Sequence, residues 1–161
     1  MPDAWRIVKH KHGATAFSGE GAAKTSGRWN SRGVPVVYTS STKALAALET
    51  LVHLNPPVLF IYLVFHIQFD KTVIEEVPLN SLSADWQIKP AAQSSKAVGD
   101  IWVREARSAV LQVPSVIISG EFNYLLNPVH PDFTKIHIGK SEPFAFDPRL
   151  LARRPPHDRL K

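Results

Sequence analysis

A carboxylate on the apolar side of a helix is the first feature of this chain that suggests chemistry. Residues 43–53 read Lys-Ala-Leu-Ala-Ala-Leu-Glu-Thr-Leu-Val-His. At about 100° per residue, Ala44, Leu45, Leu48, Leu51 and Val52 form one stripe, and Glu49 falls at its edge beside Leu45. An ionised carboxylate there is costly unless a cation or strong donors meet it. Arg28, in Gly27-Arg-Trp-Asn30, offers such a cation. Its planar fork suits either a ligand phosphate or carboxylate, or a salt bridge to Glu49. Tyr38, at the end of the intervening strand, either stacks on a ligand ring or packs in the core. Ser115 follows Pro114 at a break between strands, where its hydroxyl is either presented to a site or closes a turn. Arg6 lies beside Trp5 in an expected first strand, as a functional or a surface cation. Asn123 and Asn127 either orient a ligand amide or shape a turn.

Other chemistries find less support. His10 and His12, His66 with Gln68, and His130 lack the carboxylate or third histidine at zinc-site spacing, so no metal is expected. Gly13, Gly19, Gly21 and Gly27 do not form a phosphate loop, and the Gly-x-Ser-x-Gly elbow of a serine hydrolase is missing.

These residues need elements to position them. Ser40, Ser41 or Thr42 can cap the helix of Glu49, and Asn55-Pro-Pro57 stops it. A short strand is predicted over 35–39, a long and central one over 58–69, and another over 73–77. Residues 9–30 read as a long loop and 78–95 as irregular. A helix is predicted over 98–108, then strands at 109–113 and 116–118, with further strands at 135–139 and 144–146. The expected architecture is one α+β domain over residues 1–152 with a twisted mixed β-sheet and flanking helices, followed by a loose tail from 153 to 161.

The 161 residues suffice for one core. No apolar run is long enough for a membrane span, and the start carries no signal-peptide pattern. The absence of cysteine excludes a disulfide framework and fits a cytoplasmic location. The net charge of +5 comes without a basic cluster interleaved with aromatics, so direct nucleic-acid binding is disfavoured. An anionic small molecule or an acidic protein partner accounts for the charge as well.

Taken in order, Phe17-Ser-Gly-Glu-Gly21, Gly27-Arg-Trp-Asn30, Val36-Val-Tyr-Thr-Ser40, Ala47-Leu-Glu-Thr-Leu-Val52, Val113-Pro-Ser115 and Asn123-Tyr-Leu-Leu-Asn-Pro128 resemble the RES domain toxin family. The resemblance runs from about Arg6 to Leu150. It implies a fold similar to ADP-ribosyltransferase toxins. It also implies that the chain is the toxin of a type II toxin–antitoxin system, depleting NAD by phosphorolysis or hydrolysis as an NAD phosphorylase or NAD glycohydrolase. A mono-ADP-ribosyltransferase with a protein target, or a non-catalytic module that binds antitoxin, are the alternatives. By position the resemblance implies a catalytic set of Arg28, Tyr38, Glu49 and Ser115. It implies NAD contacts from Arg6, Arg28, Tyr38, Gln93 and Asn123. No cofactor is implied, since NAD is the substrate and inorganic phosphate a possible co-substrate. The implied partner is an Xre-type helix-turn-helix antitoxin, with DNA bound only through it, no membrane contact, and a toxin homodimer.

Overall fold

Side-chain alternation along the strands sorts this chain into two faces of one sheet. The computed structural model describes residues 1–54 and 61–151. Eight strands are joined in it: β1 (Asp3–Lys9), β2 (Val37–Ser40), β3 (Tyr62–Gln68), β4 (Ile74–Glu76), β5 (Val110–Pro114), β6 (Phe122–Leu126), β7 (His137–Ile138) and β8 (Glu142–Phe144). Their order is β4-β5-β6-β2-β1-β3-β7, with β8 also on β3. The β4–β5 pair is parallel and the others antiparallel, so the sheet is mixed and the fold α+β, as expected.

One face of the sheet carries Ala4, Val37, Phe65, Ile67, Val110, Tyr124 and Leu126 in a single apolar cluster. The opposite face is divided. Over β1 and β3, helix α2 (Lys43–Leu51) packs Ala46 against Ile7, Tyr62 and Val64. Over β5 and β6, Trp29 and Trp102 pack against Leu111, Val113 and Leu125. Trp102 comes from helix α3 (Gln93–Arg104). Between these two clusters the same face presents Tyr38 and Ser40 of β2, which pair with Leu125 and Asn123 of β6. Strand β1 pairs with β3 at seven positions but with β2 only at Trp5 and Ser40.

Several elements fall where the sequence places them. Helix α2 begins at Lys43, and the Thr42 hydroxyl accepts the Leu45 N–H at 3.0 Å. Such a cap contributes about 1 kcal/mol. Its buried side differs from the expected stripe: Leu45 and Ala46 are buried while Ala44 and Val52 are exposed. Glu49, one turn beyond both, thus lies within the inward face and not at its edge.

Other elements differ. The loop after β1 folds into a 3-10 turn (His10–Thr15) and helix α1 (Glu20–Thr25). Helix α3 starts five residues before the predicted 98, because its first turn is polar and shows no apolar period, with Gln93 and Ser94 exposed and Ser95 buried. Residues 116–118 are not a strand: the Ser115 hydroxyl accepts the N–H groups of Ile117 and Ile118, at 3.1 and 3.2 Å, and closes a turn. The strand that follows is β6, in the stretch whose asparagines suggested a turn. A short helix α4 (Pro148–Leu151) ends the described chain. The predicted strand start at 58–60, the Asn55-Pro-Pro57 stop and the tail from 153 lie outside the described residues. No helix among the described residues is long and apolar enough to cross a membrane.

Candidate functional site

Glu49 meets donors, not a cation. Its Oε1 accepts the amide of Asn123 at 2.7 Å and the hydroxyl of Ser115 at 3.1 Å. Asn123 is oriented in turn by Ser40, whose hydroxyl donates to Asn123 Oδ1 at 2.7 Å. Two such donors hold the half-buried carboxyl group in one orientation, since hydrogen bonds to a charged group contribute about 1.5–3 kcal/mol each. Among the described residues, Oε2 has no hydrogen-bond partner. One oxygen is therefore anchored and the other is available to a ligand.

Of the two readings of Arg28, the salt bridge to Glu49 does not form among the described residues. Arg28 Nη1 instead donates to the carbonyl oxygens of Trp86 at 2.8 Å and Ile88 at 3.0 Å. Burial lowers the pKa of the half-buried guanidinium, while the nearby charge of Glu49 opposes that shift. Arg28 therefore lies within the field of Glu49 without touching it. Its loop is tightly closed: Gly27 N–H donates to Asn30 O at 3.0 Å. The preceding Ser26 has φ 62° and ψ 168°, a conformation costing a non-glycine residue about 1–3 kcal/mol.

Tyr38 fastens this loop to the sheet. Its hydroxyl donates to Asn30 Oδ1 at 2.6 Å and accepts the Trp29 N–H at 3.1 Å. Burial raises its pKa well above the ordinary tyrosine value, so the phenol stays protonated and is no base. A β-carbon on Gly27 would press on that hydroxyl at 2.5 Å, so only glycine fits. Ser115 is buried, at 2% exposure, with its hydroxyl directed to Glu49 and not presented to solvent.

Arg6 is not brought to this set. It pairs with Phe65 and lies on the face of Ala4 and Val8, opposite to Glu49. Its Nε donates to Ala16 O at 2.6 Å and its Nη1 to Tyr38 O at 2.7 Å. Burial lowers its pKa to about 10, and among the described residues no carboxylate pairs with it. It is thus neither a surface cation nor a neighbour of Glu49. Gln93 is exposed at the start of α3, two residues before Ser95, whose hydroxyl shares the Trp86 carbonyl with Arg28. Asn127 is buried away from the set and shapes a turn, accepting the Val129 N–H at 3.1 Å.

Sequence reasoning missed Ser40 as the residue orienting Asn123, and Trp86, whose carbonyl anchors Arg28. A serine preceding a capped helix carries no signal of a contact 83 residues away. A cavity of about 410 Å³ opens beside Ser115, lined among others by Trp86, Gln87, Gln112 and Phe122. Of the candidate residues only Ser115 lines that cavity, so the set itself provides an oriented carboxylate oxygen and a nearby arginine. That combination suits the stabilisation of a developing cation in an anionic ligand.

The comparisons with known proteins agree on one family. The model described as "RES domain" matches residues 3–147. The "Prs ADP-ribosylating toxin" of Sphingobium sp. (strain YBL2) is 40% identical over 156 residues, covering 92% of this chain and 96% of that protein. A "Toxin Res" of Yersinia enterocolitica is 35% identical over 148 residues, covering 91% and 97%. Among solved structures, one in the M. tuberculosis MbcT–MbcA toxin–antitoxin complex aligns with a TM-score of 0.72. It covers 89% of this chain and 84% of that one at 15% identity, a likeness of fold.

Proposed function

The chain belongs to the RES domain family, and from that premise we propose that it is the toxin of a toxin–antitoxin pair, acting by cleaving the nicotinamide–ribose bond of NAD. The observation that carries the chemistry is the free Oε2 of a carboxylate fixed through its other oxygen by Asn123 and Ser115. Breaking the bond develops positive charge on the ribose, as in glycoside cleavage. A fixed carboxylate stabilises that charge more in the transition state than in the ground state. Glu49 fills this role, and nicotinamide leaves with the bonding electron pair. Arg28 turns its fork to the pyrophosphate. Tyr38 and Asn123 shape the floor of the site, with Gln93 at its rim. Arg6 acts on the site through the backbone of Tyr38. Ser115 works through Glu49.

The acceptor is inorganic phosphate or water, which makes the enzyme an NAD phosphorylase or an NAD glycohydrolase. Incubating the protein with NAD, with and without phosphate, tests this. ADP-ribose 1″-phosphate formed only with phosphate marks phosphorolysis, and free ADP-ribose in both tubes marks hydrolysis. NAD left intact in both tubes by correctly folded protein sinks the proposal. Transfer to a protein is the second reading, favoured by the relative named as an ADP-ribosylating toxin; it is recognised by label from NAD appearing on a protein in lysate. The proposed partner is an Xre-type antitoxin that covers the site and carries DNA binding, on a toxin homodimer.

A further inference from the structure

The Arg28 loop is held from outside the sheet by one face of α3. Lys96, Gly99 and Asp100 are spaced three and four apart, and so share that face. Each meets a different residue of the loop. Lys96 Nζ donates to Ser26 Oγ at 3.3 Å. Gly99 lies against the backbone of Trp29, so closely that a methyl group there would overlap the Trp29 carbonyl oxygen. Asp100 receives Ser31 twice: N–H to Oδ1 at 2.8 Å and hydroxyl to Oδ2 at 2.6 Å. The three contacts bracket Arg28 on both sides, at Ser26 before it and at Trp29 and Ser31 after it.

We infer that this face of α3 positions Arg28, with Asp100 as the positioning residue whose paired acceptors set the loop and thereby the direction of the guanidinium. Three features support a role beyond general packing. The loop contains a strained residue, Ser26, which persists only where its surroundings over-determine it. The glycine at the contact lets the loop backbone approach the helix where any side chain would collide with it. The same helix also meets the carbonyl that takes the Arg28 fork, because Ser95, next to Lys96, and Arg28 both donate to Trp86 O. The inference deepens the proposed NAD site and rests on Arg28 being its ligand-facing arginine.

The test uses Asp100→Ala and Asp100→Asn, each alone and combined with Arg28→Ala, in the full chain. Two readouts are followed: steady-state NAD consumption, and amide hydrogen exchange at Ser31, which needs no NAD. Asp100→Ala is expected to lower kcat/KM for NAD by about 10²-fold through KM, the scale of a small misplacement of a binding group. Asp100→Asn, which keeps an acceptor for the Ser31 N–H, restores most of the loss. In the Arg28→Ala background, Asp100→Ala has no further effect on KM, because it acts through a group already removed. Ser31 exchange accelerates in Asp100→Ala whether or not NAD is consumed. Independent, multiplying effects of the two substitutions, or an unchanged Ser31 exchange rate, would overturn the inference. A wild-type protein that leaves NAD intact sinks the proposed activity instead, and the exchange rate then judges the positioning alone.

Discussion

Glu49 announces itself in the sequence because a carboxylate among leucines and alanines on one helix is a local contradiction. Its resolution is not local. The donors that satisfy it, Ser115 and Asn123, lie 66 and 74 residues away, and no periodicity records such a contact. Arg28 was legible as a special cation, but the carbonyls that take its fork come from a stretch with no regular pattern. Two outcomes are expected at this scale. Glu49→Gln keeps the shape of the side chain and removes its charge, so NAD cleavage should fall by about 10²–10³-fold while the protein still folds, its thermal midpoint lowered only by the weakening of two hydrogen bonds. Unchanged turnover would remove Glu49 from the mechanism. Arg6→Ala orphans the carbonyls of Ala16 and Tyr38, each at about 1–3 kcal/mol, and should lower the midpoint of chemical denaturation accordingly. A loss of NAD affinity without loss of stability would return Arg6 to the ligand.

At the scale of elements, what was legible is what repeats. The alternation of β3 and the amphipathic core of α2 are visible because burial imposes a period. The run Val116-Ile-Ile118 shows where this fails: its residues suit a strand, yet one serine hydroxyl diverts two of its amides into a turn. Asn123 hid β6 for the converse reason, since a polar residue in a strand reads as a turn until its carboxylate partner is known. Ser115 thus serves both the turn and the site. Ser115→Ala should destabilise the fold by about 1–3 kcal/mol, by leaving those amides unpaired, and should also slow NAD cleavage by freeing Glu49. Equilibrium unfolding and turnover measured on the same preparation check both. A variant that keeps full stability but loses activity would show that the turn does not depend on the hydroxyl.

The α+β class of the whole molecule was readable from the mixture of elements, whereas the strand order was not. Placing β2 between β1 and β6 depends on pairings between distant segments that leave no mark in any one of them. The three apolar clusters all rest on strands of the same sheet, so none has a core that could survive alone. Urea unfolding followed by tryptophan fluorescence and by far-ultraviolet circular dichroism should therefore give coincident transitions. Separate midpoints would mean that one half of the sheet folds without the other.

The single pairing of β1 with β2 gives that sheet a seam. On one side stand β3, β7, β8 and α2, and on the other β4, β5, β6 and α3. Side chains do much of the stitching: Arg6 reaches across to the Tyr38 carbonyl, and Glu49, carried by α2, reaches across to Asn123 and Ser115. The proposed catalytic carboxylate is therefore also a latch between two halves of the protein.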